Sequence, residues 1–133
     1  MSALTRFFFD PVYTRRSTWT IVNWWESRRA IYNLCVGAAG ALSLLALGIS
    51  AVVHPHPQPI HGPPVLAVVV YAVMANLCYS IGPALDVYIH RWWGPEYAPV
   101  GPALFRYGFV FSLGLTLLPI PLSVISWFAR LFF

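Results

Sequence analysis

From Ala30 to Val53 the sequence runs without one charged residue, and two later stretches, Val65 to Ile89 and Ala103 towards Trp127, are nearly as apolar. Each is about 24 or 25 residues, roughly 36 Å as helix, against a bilayer core of about 30 Å. Inside lipid the backbone has to satisfy its own hydrogen bonds, and helix is the open-chain solution. A β-barrel is excluded, because polar and apolar residues do not alternate and three strands cannot close. Charged residues make up 9% of the 133 and hydrophobic types 59%, where a soluble domain carries about 25% charged residues. That apolar content also excludes a disordered chain. The expected fold is all-α: one membrane domain over 1–133, an integral three-helix bundle with spans at about 30–53, 65–89 and 103–127. Residues 1–29 form a cytoplasmic or interfacial segment ahead of it.

All eight basic residues are arginine. Arg6, Arg15, Arg16, Arg28 and Arg29 precede the first span, Arg91 and Arg106 flank the second loop, and Arg130 alone follows the third span. The loop from His54 to Pro64 has none. The positive-inside rule then places the N-terminus on the cytoplasmic face of a bacterial inner membrane and the C-terminus on the periplasmic face. The first span is too long, and follows too many arginines, to be a cleaved signal peptide. Trp24, Trp25, Trp92 and Trp93, with Arg28 and Arg29, fall at the inner interface as anchors; Trp127 falls at the outer one. Ser17 to Arg29 is expected to be an amphipathic interfacial helix, capped by Ser17 or Thr18 and carrying a Glu26–Arg29 pair. Phe7 to Phe9 and Phe128 to Phe133 are apolar ends to be covered by lipid or neighbouring subunits.

Small residues mark where helices can approach in lipid. The first span offers Gly37, Gly40, Ala41 and Gly48, and the third offers Gly108, Ser112 and Thr116. The second carries a polar stripe of Asn76, Tyr79, Ser80, Pro83, Asp86 and His90 at three- and four-residue steps, which should turn towards other helices. Pro83 frees the carbonyl of Tyr79 and should bend the helix, with Ser80 a candidate donor. Asp86 and Arg106 lie at matching depths, so an ion pair between them is expected. Pro119 and Pro121 should kink the third span near Leu118. Cys35 and Cys78 read as small core residues.

Candidate chemistry is sparse. Asp86 and His90 share a helical face, but no nucleophile is placed beside them. His90 could ligate a pigment metal, with Trp92 and Trp93 flanking a flat macrocycle. His54, His56 and His61 sit among prolines that favour an extended connector. A formal charge of +4 has no basic stripe on a soluble surface to bring nucleic acid. Phosphate loops and the metalloprotease and serine-hydrolase signatures are absent, as are the aspartate-rich signature of a head-group transferase and an acidic residue near the midplane for coupled transport. No soluble substrate is evident.

The stretch Asn23-Trp24-Trp25-Glu26-Ser27-Arg28-Arg29 followed by Tyr32-Asn33, with Ala75 to Gly82 and Phe105-Arg106-Tyr107-Gly108, resembles a group of uncharacterised small bacterial polytopic membrane proteins. That resemblance implies no activity. It implies one cytoplasmic-side cluster of Glu26, Arg28, Arg29, Asn33, Asn76 and Arg106. The expected function is that of a non-catalytic accessory subunit of a larger membrane assembly, in a photosynthetic or respiratory setting. Its partners would be lipid and other integral subunits, with bound lipid, (bacterio)chlorophyll or carotenoid as contacts. The alternatives are a pigment- or cofactor-binding module using His90, or a small transporter or lipid-active enzyme.

Overall fold

The structure, a computed structural model, describes residues 17–53, 65–94 and 100–132, with side chains described to residue 129. The His54–His61 connector, the N-terminal arginines and phenylalanines, and the Arg130 side chain lie outside the described residues. Among the described residues four helices follow in order: α1 (Thr18–Val52), α2 (Val65–Trp93), α3 (Gly101–Leu117) and α4 (Pro119–Phe132). Among the described residues there is no strand. α1, α2 and the α3–α4 unit from Gly101 to Ala129 are each long and apolar enough to cross a membrane.

α1 begins where Ser17 accepts the backbone N–H of Thr20 at 3.2 Å, meeting one donor that helix geometry leaves open. It then continues for 35 residues, roughly 50 Å at about 1.5 Å per residue. The expected interfacial helix over Ser17 to Arg29 is thus not distinct from the first span: nothing between Arg29 and Ala30 breaks a helix, and Thr18–Val52 is one rod. α2 ends at Gly94, whose φ of 79° is the left-handed conformation that glycine adopts without strain. Its N–H returns to the His90 carbonyl at 3.1 Å, closing the helix. Pro102 falls in the first turn of α3, where a missing N–H costs nothing.

The third span is jointed at Leu118. Pro119 cannot donate to the Leu115 carbonyl, nor Pro121 to that of Leu117. Between them, the Thr116 carbonyl accepts the Ser43 hydroxyl of α1 at 2.6 Å. The chain resumes as α4, which also packs against α1. α1 packs against each of the other three. It presents Ile21, Trp25, Arg28, Tyr32, Val36, Ala39 and Ser43 inward, at three- and four-residue steps that keep them on one helical face.

Candidate functional site

The densest side-chain chemistry lies at the arginine-rich end. Trp25 is at its centre, only 2% exposed. Its indole N–H donates to Asp86 Oδ2 of α2 at 3.1 Å. Its ring meets Tyr79 edge-on at 5.6 Å between centroids and Phe105 of α3 at 5.9 Å. The Tyr79 hydroxyl donates to the Trp25 carbonyl at 2.6 Å. One tryptophan therefore ties three helices together, by packing and by hydrogen bonds at both its ring and its backbone.

Two glycines make this possible. A Cβ at Gly82 would lie 2.6 Å from Cζ3 of the Trp25 ring, and one at Gly101 would collide with Asp86 Oδ2. In lipid the inside of a bundle is no more apolar than its surroundings, so close packing supplies much of the attraction. Glycines at 82 and 101 let the backbones of α2 and α3 reach the indole and the carboxyl.

A second tier lies one turn along. Arg29 bridges Glu26 at 2.8 Å and donates to Ser80 Oγ at 3.3 Å. Asn33 donates to the Asn76 side chain at 3.2 Å. The Tyr32 hydroxyl sits 2.9 Å from Ser112 Oγ. Arg28 is buried; it donates to the Trp24 carbonyl at 3.0 Å and its guanidinium lies 3.8 Å from the centre of the Trp24 ring, close enough for a cation–π contact. The polar stripe of α2 thus faces α1 through Asn76, Tyr79, Ser80 and Asp86.

Several expectations need correction. Asp86 pairs with Trp25, and Arg106 is exposed, with its guanidinium 5.3 Å from its neighbour Tyr107. Depth was matched between the two, but Phe105 takes the inward position on α3, and one residue further the helix has turned by about 100°. Trp25 and Arg28 are interior groups, not surface anchors; Trp24 is half-buried, and Trp92 and Trp93 are exposed at the end of α2. Ser80 donates to the Asn76 carbonyl, not to that of Tyr79. Cys78 is exposed.

The glycine faces also differ from expectation. Gly37, Gly48 and Gly108 have nothing within 4 Å of a built Cβ, and Gly40 meets only Thr116 Cγ2 at 3.8 Å. The helices approach at Gly82 and Gly101 instead, and Ser112 serves through its hydroxyl. Of the arginine-rich group, Glu26–Arg29 and Asn33–Asn76 form pairs, while Arg106 stands apart. His90 is half-buried, and among the described residues no three His, Cys, Asp or Glu side chains come together as a metal site.

Replacing Arg106 with leucine is therefore expected to leave the melting temperature in detergent within about 2 °C of wild type, since surface changes usually stay within ±0.5 kcal/mol. A loss as large as that caused by Asp86→Leu would restore the ion pair.

The fold and this cluster define a multi-pass helical membrane chain whose polar groups bond between helices. No protein-family model, curated protein or solved structure matches the chain.

Proposed function

We propose that this chain is a non-catalytic subunit of a larger bacterial inner-membrane assembly, acting through contacts within the bilayer. The observation that carries this reading is how the polar groups are used. The buried Asp86, Tyr79, Tyr32 and Ser43 are each engaged in a bond to a neighbouring helix, and so are the more exposed Asn33 and Asn76. A reactive site keeps an acid, base or nucleophile directed at substrate; the groups here are directed at one another. The N-terminus lies on the cytoplasmic face in this reading, following the arginine distribution, and the kinship with small bacterial polytopic membrane proteins belongs with the same proposal.

The docking face is the cleft between α2 and α3. It has a volume of about 280 Å³ and is lined by Tyr79, Gly82, Phe105, Gly108 and Phe111 among others. Gly108 leaves its mouth open, which suits a side chain of a partner helix. The test is extraction in mild detergent, followed by native electrophoresis and identification of co-migrating chains. Wild type should run in a complex well above 14.9 kDa, and Gly108→Leu should release it as a folded single chain. A wild-type chain recovered alone would overturn the proposal. Haem or chlorophyll absorbance in the same fraction would support the photosynthetic or respiratory form.

A further inference from the structure

The glycine-bearing face of α1 borders a trench that the helix bundle leaves open. It has a volume of about 600 Å³ and runs between α1 and α2, past Gly37, Gly40 and Leu44 on one side and Val68, Tyr71 and Ala72 on the other. At its arginine-rich end it meets a second depression of about 390 Å³, which shares Ala72 and Asn76 with it and adds Arg29 and Ser80.

The chemistry along this path is ordered. On α1, Glu26, Arg29, Asn33, Gly37, Gly40 and Leu44 follow at three- and four-residue steps, so they occupy one helical face. From the outer end inward this face of α1 gives a carboxylate, a guanidinium, a carboxamide and then apolar lining, and across the trench the Tyr71 and Thr116 hydroxyls are bonded to each other. A phospholipid with a primary amine has the matching order: ammonium, phosphate, ester carbonyls, acyl chain.

We infer that the trench between α1 and α2 holds one acyl chain of an aminophospholipid of the phosphatidylethanolamine type, with its phosphate on Arg29 and its ammonium on Glu26. Arg29 and Glu26 are both partly exposed, at 30% and 48% of their side chains, and stand 2.8 Å apart. Together they present adjacent opposite charges to a headgroup that also carries adjacent opposite charges. An anionic lipid would satisfy Arg29 and meet repulsion from Glu26. Asn33 and Asn76, already joined, and Ser80 lie at the depth of the ester groups. Gly37 and Gly40 supply the width: with no side chain there, the acyl chain can lie along the α1 backbone.

The test is lipid retention. The full chain is reconstituted in vesicles of phosphatidylethanolamine, phosphatidylcholine and phosphatidylglycerol in equal parts, extracted in mild detergent, and its retained lipid is analysed by mass spectrometry. Wild type should retain phosphatidylethanolamine about tenfold over either competitor. Gly37→Leu should lose the retained lipid while keeping the wild-type melting temperature, because nothing lies within 4 Å of a Cβ at that position. Glu26→Gln should abolish the preference for the primary amine over its trimethylated analogue. Retention in proportion to the vesicle mixture would overturn the inference, as would a preference for phosphatidylglycerol or a Gly37→Leu variant that holds as much lipid as wild type. Loss of partner chains from Gly108→Leu would leave these readings untouched, so the two proposals fail separately.

Discussion

Trp25→Ala should be the most damaging single truncation in this chain, lowering stability by roughly 3–5 kcal/mol, the usual range for removing a buried large aromatic. Two losses combine. The space left among Tyr79, Phe105 and Gly82 cannot close, because those groups belong to two helices, α2 and α3, held by other contacts. Asp86 also loses its indole donor in a buried setting, which alone costs about 1–3 kcal/mol. Trp25→Phe separates the two: it retains most of the ring packing and removes the N–H, so it should fall between wild type and alanine. The measurement is thermal or SDS-induced unfolding in a fixed detergent. A Trp25→Ala protein that unfolds at the wild-type midpoint would show that the indole does not hold the bundle.

The converse change is expected to be nearly as severe. Gly82→Leu places a side chain where the Trp25 ring already lies, and overpacking of this kind typically costs about 1–3 kcal/mol, more where the obstacle cannot move. Trp25 cannot swing aside, since Tyr79 and Phe105 flank it. The two substitutions should therefore be non-additive. Leucine at 82 in the Trp25→Ala background fills part of the vacated volume, and the double variant should be more stable than the sum of the singles by roughly 0.5–3 kcal/mol. Additive losses would mean that Gly82 matters for a reason other than the indole.

These effects also explain which features were legible beforehand. The spans were, because crossing lipid imposes length and a shortage of charge, and both can be counted along a chain. The Ser17 cap and the Glu26–Arg29 bridge were legible too, being local to one helix. The inward face of α1 was hard to read because lipid removes the contrast that reveals a core in water: Leu34 and Leu45 are as apolar as Val36 and face outward. The usable signal was the spacing from Ile21 through Trp25, Arg28, Tyr32, Val36 and Ala39 to Ser43, with aromatic and polar groups recurring at seam positions.

The tryptophans misled because an indole beside arginines is the usual mark of a membrane interface. What makes room for an interior indole is the juxtaposition of Gly82 and Gly101 with Trp25, and both glycines are far from it in sequence. The Asp86–Arg106 expectation failed for a related reason. Depth along a helix axis follows from counting residues, whereas which residue of α3 faces α2 depends on how the helix is rotated. The glycines of α1 were recognisable as a face, but composition does not distinguish a face that receives another helix from one left open.

α1 packs against α2, α3 and α4, and it also precedes them in the chain. Synthesis runs from the N-terminus, so this rod enters the bilayer before its partners have been made. α2 then emerges beside an indole already waiting for its aspartate, and α3 and α4 arrive at a pair rather than at open lipid. Assembly of such a chain proceeds as successive docking onto a mast, and a lesion in that mast is felt at every later step.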